Sequence, residues 1–414
     1  MSLLRKIGGM ALLLLLPMGV MAQSSPVADT TLSVAERNAL QGFNDTIDRL
    51  ADDFVEAYVS IAEPGDYLYT TLGHAAYHLK CPTFGLDYYF TMEGESSKGA
   101  LWRFLSGDLK MALMVTTPEE YLKYYQQEGR GVKEWKLNLT PEKKQALWAL
   151  LDKHTEDWTN LPYDYYHRCC AITIVNIMNE LVGRENIHYS EPWPEKFKQT
   201  PREIIYHALR GHDEWTQFFI CILAGNEVDK DIPYERKFIV PNDVIEAWQK
   251  ATIDGMPVID NEPIEVLPSY IQKQDTWCTP LFISIVLTCL ALLSLCTVWT
   301  EKKWMKVCGA VVDYIILGLI TTIGAAMTYL LFVSDLPCTD WNWLYIAFNP
   351  LPAIFWYWRK YWALPYAMIM IAWMIAMLFV PHLLALPSHI ILTLAFAIVL
   401  LKQSSVLLPV INKK

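Results

Sequence analysis

Two kinds of hydrophobic pattern divide the chain. Up to about residue 276 apolar positions recur at short periods between polar and turn-forming residues; beyond it they merge into long runs. In residues 35–62, Leu40, Phe43, Ile47, Leu50, Phe54, Tyr58 and Ile61 fall three or four apart, which predicts a helix stopped at Pro64-Gly65. Residues 67–79 are rich in Tyr, Thr and Leu and predict one or two strands broken near Gly73. Thr117-Pro118, Thr140-Pro141 and Thr200-Pro201 each read as a helix start, because Thr caps the first turn and Pro fits its first position. Glu120 and Glu203 stand where a capping box needs them. Helices over 118–128, 141–156, 170–182, 201–209 and 242–252, alternating with strands, predict an α+β domain.

Five apolar segments follow, at 277–298, 307–333, 341–356, 362–380 and 383–401, and predict an all-α transmembrane bundle of about five helices. The loops assign its direction. Lys302, Lys303 and Lys306 follow the first segment, Arg359-Lys360 the third, and Lys402, Lys413 and Lys414 the fifth. The intervening loops, residues 334–340 and Pro381-His382, carry no Lys or Arg. Positive charge marks the cytoplasmic side, so the preceding domain is expected outside and the C-terminus inside. Tryptophans 277, 299, 341, 343, 356, 358 and 362 crowd the segment ends, as interfacial anchors do. Asp313 lies within a segment and is either a functional or pairing group, or close enough to the cytoplasmic end to reach water. Asn349-Pro350 interrupts the third segment, lining a cavity or kinking the helix. His382 and His389 fall near outer segment ends.

Charge sharpens this division. Residues 281–414 hold eight Lys/Arg and four Asp/Glu, whereas the first 280 hold 26 and 40. A purely soluble protein is excluded, and the acidic first part argues against a nucleic-acid partner, which needs clustered Lys/Arg. The N-terminus, with Arg5-Lys6, an apolar run and small residues at Val20 and Ala22, predicts a secretory signal peptide over 1–22; a first membrane anchor is the other reading. The expected organisation is a domain outside the cytoplasm over 23–276, a bundle over 277–403 and a cytoplasmic tail over 404–414, in a multi-pass membrane protein.

Nine cysteines make no disulfide framework, although Cys278 and Cys338 both fall near the outer face. The strongest local signal is His167-Arg-Cys169-Cys170, followed by apolar Ile174, Ile177, Met178 and Leu181 and by Gly183 as a C-cap. Cys170 thus opens a helix, where free N–H groups and the helix dipole favour the thiolate nucleophile. A structural cysteine at a helix start is the plainer alternative. A nucleophile needs a base, and His74, placed directly after Gly73 at the start of an alternating run, is the best of seven outer-domain histidines. Asp87 is a candidate to orient it. A metal set of His74, His78 and Cys81 with Cys169 or Cys170 matches no strong zinc spacing, so no metal or cofactor is expected.

Several of these stretches carry a resemblance. Thr70-Thr-Leu-Gly-His74-Ala-Ala-Tyr77, Phe104-Leu-Ser-Gly-Asp-Leu109, Trp135-Lys-Leu-Asn-Leu-Thr-Pro-Glu142 and Tyr163-Asp-Tyr-Tyr-His-Arg-Cys-Cys170-Ala171 resemble, in order and spacing, the periplasmic domain of the Bacteroides-type lipoprotein N-acyltransferases. That family also carries a polytopic C-terminal part. The resemblance implies Cys170 as nucleophile, His74 as base and a fold similar to circularly permuted papain-like enzymes such as the lecithin:retinol acyltransferase group. It further implies acyl transfer from a phospholipid donor, through a Cys thioester, to the N-terminal amine of a diacylglyceryl-cysteine lipoprotein. Leu72 stands where the family has Phe. Cys169 stands where it has Asn, which leaves Cys169 as an alternative nucleophile or supporting group. Two rivals remain: a membrane-tethered cysteine peptidase or amidase acting on cell-wall peptide, and a non-enzymatic anchored assembly factor.

Overall fold

The computed structural model describes residues 48–404 apart from 68, 95–98, 165, 194–197, 212, 231, 272–276 and 380–384. The expected signal peptide, most of the expected tail, His212 and His382 lie outside the described residues. Two compact units form. The segment Leu209–Lys230 groups with the C-terminal helices rather than with the sequence that flanks it.

The first unit is built on a seven-stranded antiparallel sheet in the order β10-β5-β1-β2-β3-β4-β6. Its central strands are β1 (Glu56–Ala62), β2 (His74–Cys81) and β3 (Leu86–Gly94), flanked by β4 (Lys110–Thr116) and β5 (Val132–Lys136). The short β6 (Leu161–Pro162) and β10 (Ile264–Leu267) close the edges. The small strands β7 (Ile187–His188), β8 (Thr252–Ile253) and β9 (Met256–Pro257) pair separately. Of the helix expected over 35–62, residues 35–47 lie outside the described residues, while 49–55 form turns and bends and Glu56–Ala62 is a central strand. Both faces of that strand are buried, so its apolar run lacks the alternation that distinguishes a strand from a helix. Residues 69–72 form turns, and the second predicted strand begins at His74.

Helices cover both faces of the sheet. They are α1 (Ala100–Ser106), α2 (Pro118–Glu128), α3 (Pro141–Asp157), α4 (Cys170–Val182), α5 (Pro201–Leu209) and α7 (Pro241–Lys250). All three Thr-Pro starts hold. Thr117 and Thr140 accept from the backbone N–H groups of Glu120 and Lys143, and Thr200 and Glu203 cap each other reciprocally. One core packs Ala75, Tyr77 and Leu79 of β2 against Ile174, Val175 and Met178 of α4 and Leu147 and Trp148 of α3. On the other face Ala76 and Tyr89 meet Tyr121 and Tyr125 of α2. The buried Tyr77 hydroxyl donates to the Ile174 carbonyl at 2.7 Å, pinning α4 to β2.

The second unit contains α8 (Pro280–Cys296), α9 (Lys303–Phe332), α10 (Leu351–Ile354), α11 (Arg359–Met377) and α12 (Pro387–Lys402). Among the described residues three helical stretches, Pro280–Trp299, Lys303–Phe332 and Trp356–Met377, are long and apolar enough to cross a membrane. The segment predicted at 341–356 is no continuous helix but a series of short turns. Asn349 and two prolines break it, and the Asn349 amide donates to the carbonyls of Tyr345 and Ile346. The inserted α6 (Glu214–Leu223) packs in this unit. Asn342 donates to the carbonyls of Ile222 and Ala224 at 2.6 and 3.0 Å, and Gly225 N–H donates to Cys338 at 2.7 Å. A side chain at Gly225 would collide with the Asp340 backbone, so the approach requires glycine.

Candidate active site

Gly73 sets the geometry. It adopts φ +86°, and a Cβ there would lie 2.9 Å from the Ala62 carbonyl oxygen, so the turn into β2 is closed to other residues without strain. His74 therefore begins β2 in a fixed direction. Cys170 is the first residue of α4, with Cys169 as its extended N-cap. Because α4 packs on β2, the helix start and the strand start are brought together. Both cysteines are half-buried, accessible yet set against the core.

The pairing of β2 with β3 supplies the third member. Ala76 lies opposite Thr91, and continuing this register places Glu93 opposite His74. The His74 Nε2 is 2.6 Å from the Thr91 hydroxyl and 3.4 Å from Glu93 Oε1, and Thr91 Oγ1 donates to that same carboxylate oxygen at 3.1 Å. With the Thr91 proton committed to Glu93, Nε2 carries the imidazole proton and donates to Thr91. Nδ1 is then the basic nitrogen left for the thiol.

Electrostatics couple the same groups. Burial alone would raise the Cys170 thiol, but the His74 charge, its hydrogen bond and the Ala75 backbone together bring Cys170 below the ordinary thiol value. Burial alone would lower His74; the charges of Cys170 and Glu93 outweigh it and raise the imidazole to about 10. Glu93 is held low against its own burial, chiefly by His74. Both shifts favour the thiolate–imidazolium form of the pair over thiol and neutral imidazole. Cys169 behaves oppositely: burial, then the Cys170 charge, pushes its thiol up to about 12. Its sulfur lies 3.7 Å from the Ile239 carbonyl, as a thiol donor would. Cys169 is thus held as the thiol more firmly than Cys170.

Asp87 does not orient His74. Its carboxylate lies 2.6 Å from His78 Nε2, while Glu134 holds His78 Nδ1 at 2.8 Å, so His78 is clamped between two acids. The carboxylate that meets His74 is Glu93, and the signal that finds it is the hairpin register through the short Pro82–Phe84 connection. The metal set considered above is divided by the sheet, since His74 and His78 alternate to one face of β2 and Cys81 to the other. In the second unit Asp313 is fully buried and paired with Lys402 at 2.8 Å, with Ser294 donating to Asp313 at 2.6 Å and Gln403 at 3.0 Å. Of its two readings, pairing is the one observed. Asn349 donates to Tyr366 at 2.6 Å and caps Leu351 N–H, which makes it a bracket for the break in the helix.

Comparison with known proteins adds independent support. Residues 47–202 match the family model described as the Lnb N-terminal periplasmic domain, and residues 272–414 match the Lnb transmembrane domain. No curated protein and no solved structure matches the chain. The two models meet in one chain, in order and over most of its length, and with the motifs around His74 and Cys170 they show that it belongs to the Lnb family of Bacteroides-type lipoprotein N-acyltransferases.

Proposed function

We propose that the chain is a lipoprotein N-acyltransferase of the inner membrane, with its catalytic domain on the periplasmic side. The observation that carries this reading is the Cys170–His74–Glu93 arrangement on a domain whose chain continues into membrane-spanning helices. The helix start packed on a strand that begins with histidine is also what a permuted papain-like fold requires, and the loop charges favour the outward orientation.

The chemistry follows from the thiolate–imidazolium pair. Cys170 Sγ attacks the carbonyl carbon of a phospholipid acyl ester, and negative charge moves to the carbonyl oxygen. The backbone N–H of Cys170, at the first turn of α4, is a donor for that oxygen. The carbon–oxygen bond to glycerol then breaks, and the imidazolium of His74 gives its proton to the departing alkoxide. This leaves a lysophospholipid and an acyl thioester. In the second half the α-amine of a diacylglyceryl-cysteine attacks the thioester, neutral His74 takes the amine proton, the carbon–sulfur bond breaks and the thiolate is restored. Glu93, acting directly and through Thr91, stabilises the imidazolium in both halves.

The test is mass spectrometry of lipoprotein N-termini from cells whose acylation depends on this protein. Cys170→Ala should leave diacylated lipoproteins with a free amine, while Cys169→Ala should retain acylation. Normal N-acylation in the Cys170 variant would overturn the proposal. Release of free fatty acid or cleaved cell-wall peptide, with no lipoprotein product, would instead favour the hydrolase.

A further inference from the structure

The loops at the active end of the sheet carry exposed aromatic and aliphatic side chains that no catalytic step uses. β2 starts at His74 and β3, its antiparallel neighbour, ends at Gly94, so the start of β2 and the end of β3 lie at the same end of the sheet, where Cys170 also sits. The entering loop bears Tyr67 and Tyr69, 59% and 69% exposed, with rings stacked 5.7 Å apart. The loop leaving β3 runs into α1, where Leu101 and Trp102 are 39% and 51% exposed.

Each group leads back to the reacting atoms. The loop bearing Tyr69 is tied to the start of β2 by Gly73 N–H, which donates to the Thr70 carbonyl at 2.9 Å, and the Tyr125 ring lies 6.4 Å from the His74 ring. From the other side Phe104 of α1 packs edge-on against Tyr163 at 5.7 Å. Tyr163, Cys169 and Cys170 all pack against the same core.

The composition of this rim selects its partner. Residues 64–72 contain a single charge, Asp66; residues 95–99 contain Glu95 and Lys98, which cancel; and α1 contains only Arg103. A nucleic acid or an acidic peptide would call for more positive charge. Large Tyr and Trp side chains with little charge fit the interfacial zone of a bilayer, where the ring is buried and the polar tip stays wet. The same chain supplies the bilayer through its membrane-spanning helices.

We propose that Tyr67, Tyr69, Leu101 and Trp102 form a lipid-contacting rim that seats the catalytic domain on the bilayer surface, so that an acyl ester reaches Cys170 without crossing water. The contact rests on the membrane anchoring of the chain; only its purpose rests on the acyl-transfer reading. The test places a photo-reactive phenylalanine analogue singly at positions 67, 69, 101 and 102 of the full chain in its native membrane. Position 83 is the control, exposed in the connection at the opposite end of the sheet. After irradiation, mass spectrometry reads the adducts, and unchanged alkylation of Cys170 certifies the fold of each variant. Phospholipid adducts at the rim positions, several-fold above position 83, are expected. Equal yields at position 83, no lipid adducts at any correctly folded rim position, or adducts to protein alone would overturn the proposal. Because the readout requires no turnover, its failure is distinct from loss of N-acylation in Cys170→Ala.

Discussion

The electrostatics of Cys170 are set by its neighbours, and each can be removed in turn. In His74→Ala the imidazole's charge and hydrogen bond are gone while burial and the Ala75 backbone remain, so the Cys170 thiol should rise from its lowered position. Its alkylation by iodoacetamide at pH 7 should fall on the order of tenfold or more, since each pKa unit is tenfold in thiolate. An unchanged rate would show that His74 does not activate it. The wild-type pair should be reactive from below the ordinary thiol value up to about pH 10, where His74 loses its proton. Glu93 helps raise His74, so Glu93→Gln should move the alkaline limb of the activity profile to lower pH. Asp87→Asn should leave that limb in place, because Asp87 serves His78. Local chemistry made Cys170 and His74 legible in the sequence, as a helix start and a glycine-led strand are written in adjacent residues. Glu93 was not legible, because its role depends on which residue of β3 faces His74 once the hairpin has formed.

Elements show the same contrast between local and distant signals. The Thr-Pro starts and the Gly183 end of α4 are set by adjacent residues and fall where the pattern puts them. Strand β1 and the broken third segment are set by surroundings: burial on both faces in one case, the hydrogen bonds of Asn349 in the other. The loop that delivers His74 is likewise braced from afar. Arg130, almost fully buried, donates to the Glu63 carbonyl at 2.6 Å and to Glu128 at 2.9 Å, with its guanidinium 4.8 Å from the Tyr125 ring. Arg130→Met should leave Glu128 without its partner and cost about 3–5 kcal/mol, the usual range for breaking a buried ion pair from one side. A lower unfolding temperature and faster proteolysis within residues 63–73 would register it. Wild-type values for both would show that the loop stands without Arg130.

At the scale of the whole molecule, the charge of Asp313 matters more than its position in the sequence suggested. Its partner Lys402 is 89 residues away on the last helix, a distance no local pattern spans. Lys402→Met should strand a buried carboxylate and destabilise the helical unit by about 3–5 kcal/mol, whereas Lys402→Met with Asp313→Leu should recover most of that loss. Thermal unfolding of the purified membrane protein would separate the two, and equal destabilisation by single and double variants would argue against the pair. The division into an acidic region and an apolar one was legible from composition, but the return of Leu209–Lys230 to the apolar unit was not, because this segment looks like any other amphipathic stretch.

That inserted segment also bears on how the protein is made. During export, α6 leaves the ribosome well before the helices that receive it, so Phe218, Cys221 and Ile222 have no finished site to enter until Asn342 and Cys338 have been synthesised. The molecule therefore has a waiting period written into its chain order, during which a short apolar helix depends on chaperones or on the bilayer itself. A secreted fragment ending at residue 273 should carry this orphan helix and aggregate, and deletion of residues 210–229 should restore its solubility, as read by size-exclusion chromatography. A fragment that stays monomeric with the segment intact would mean that the wait costs nothing.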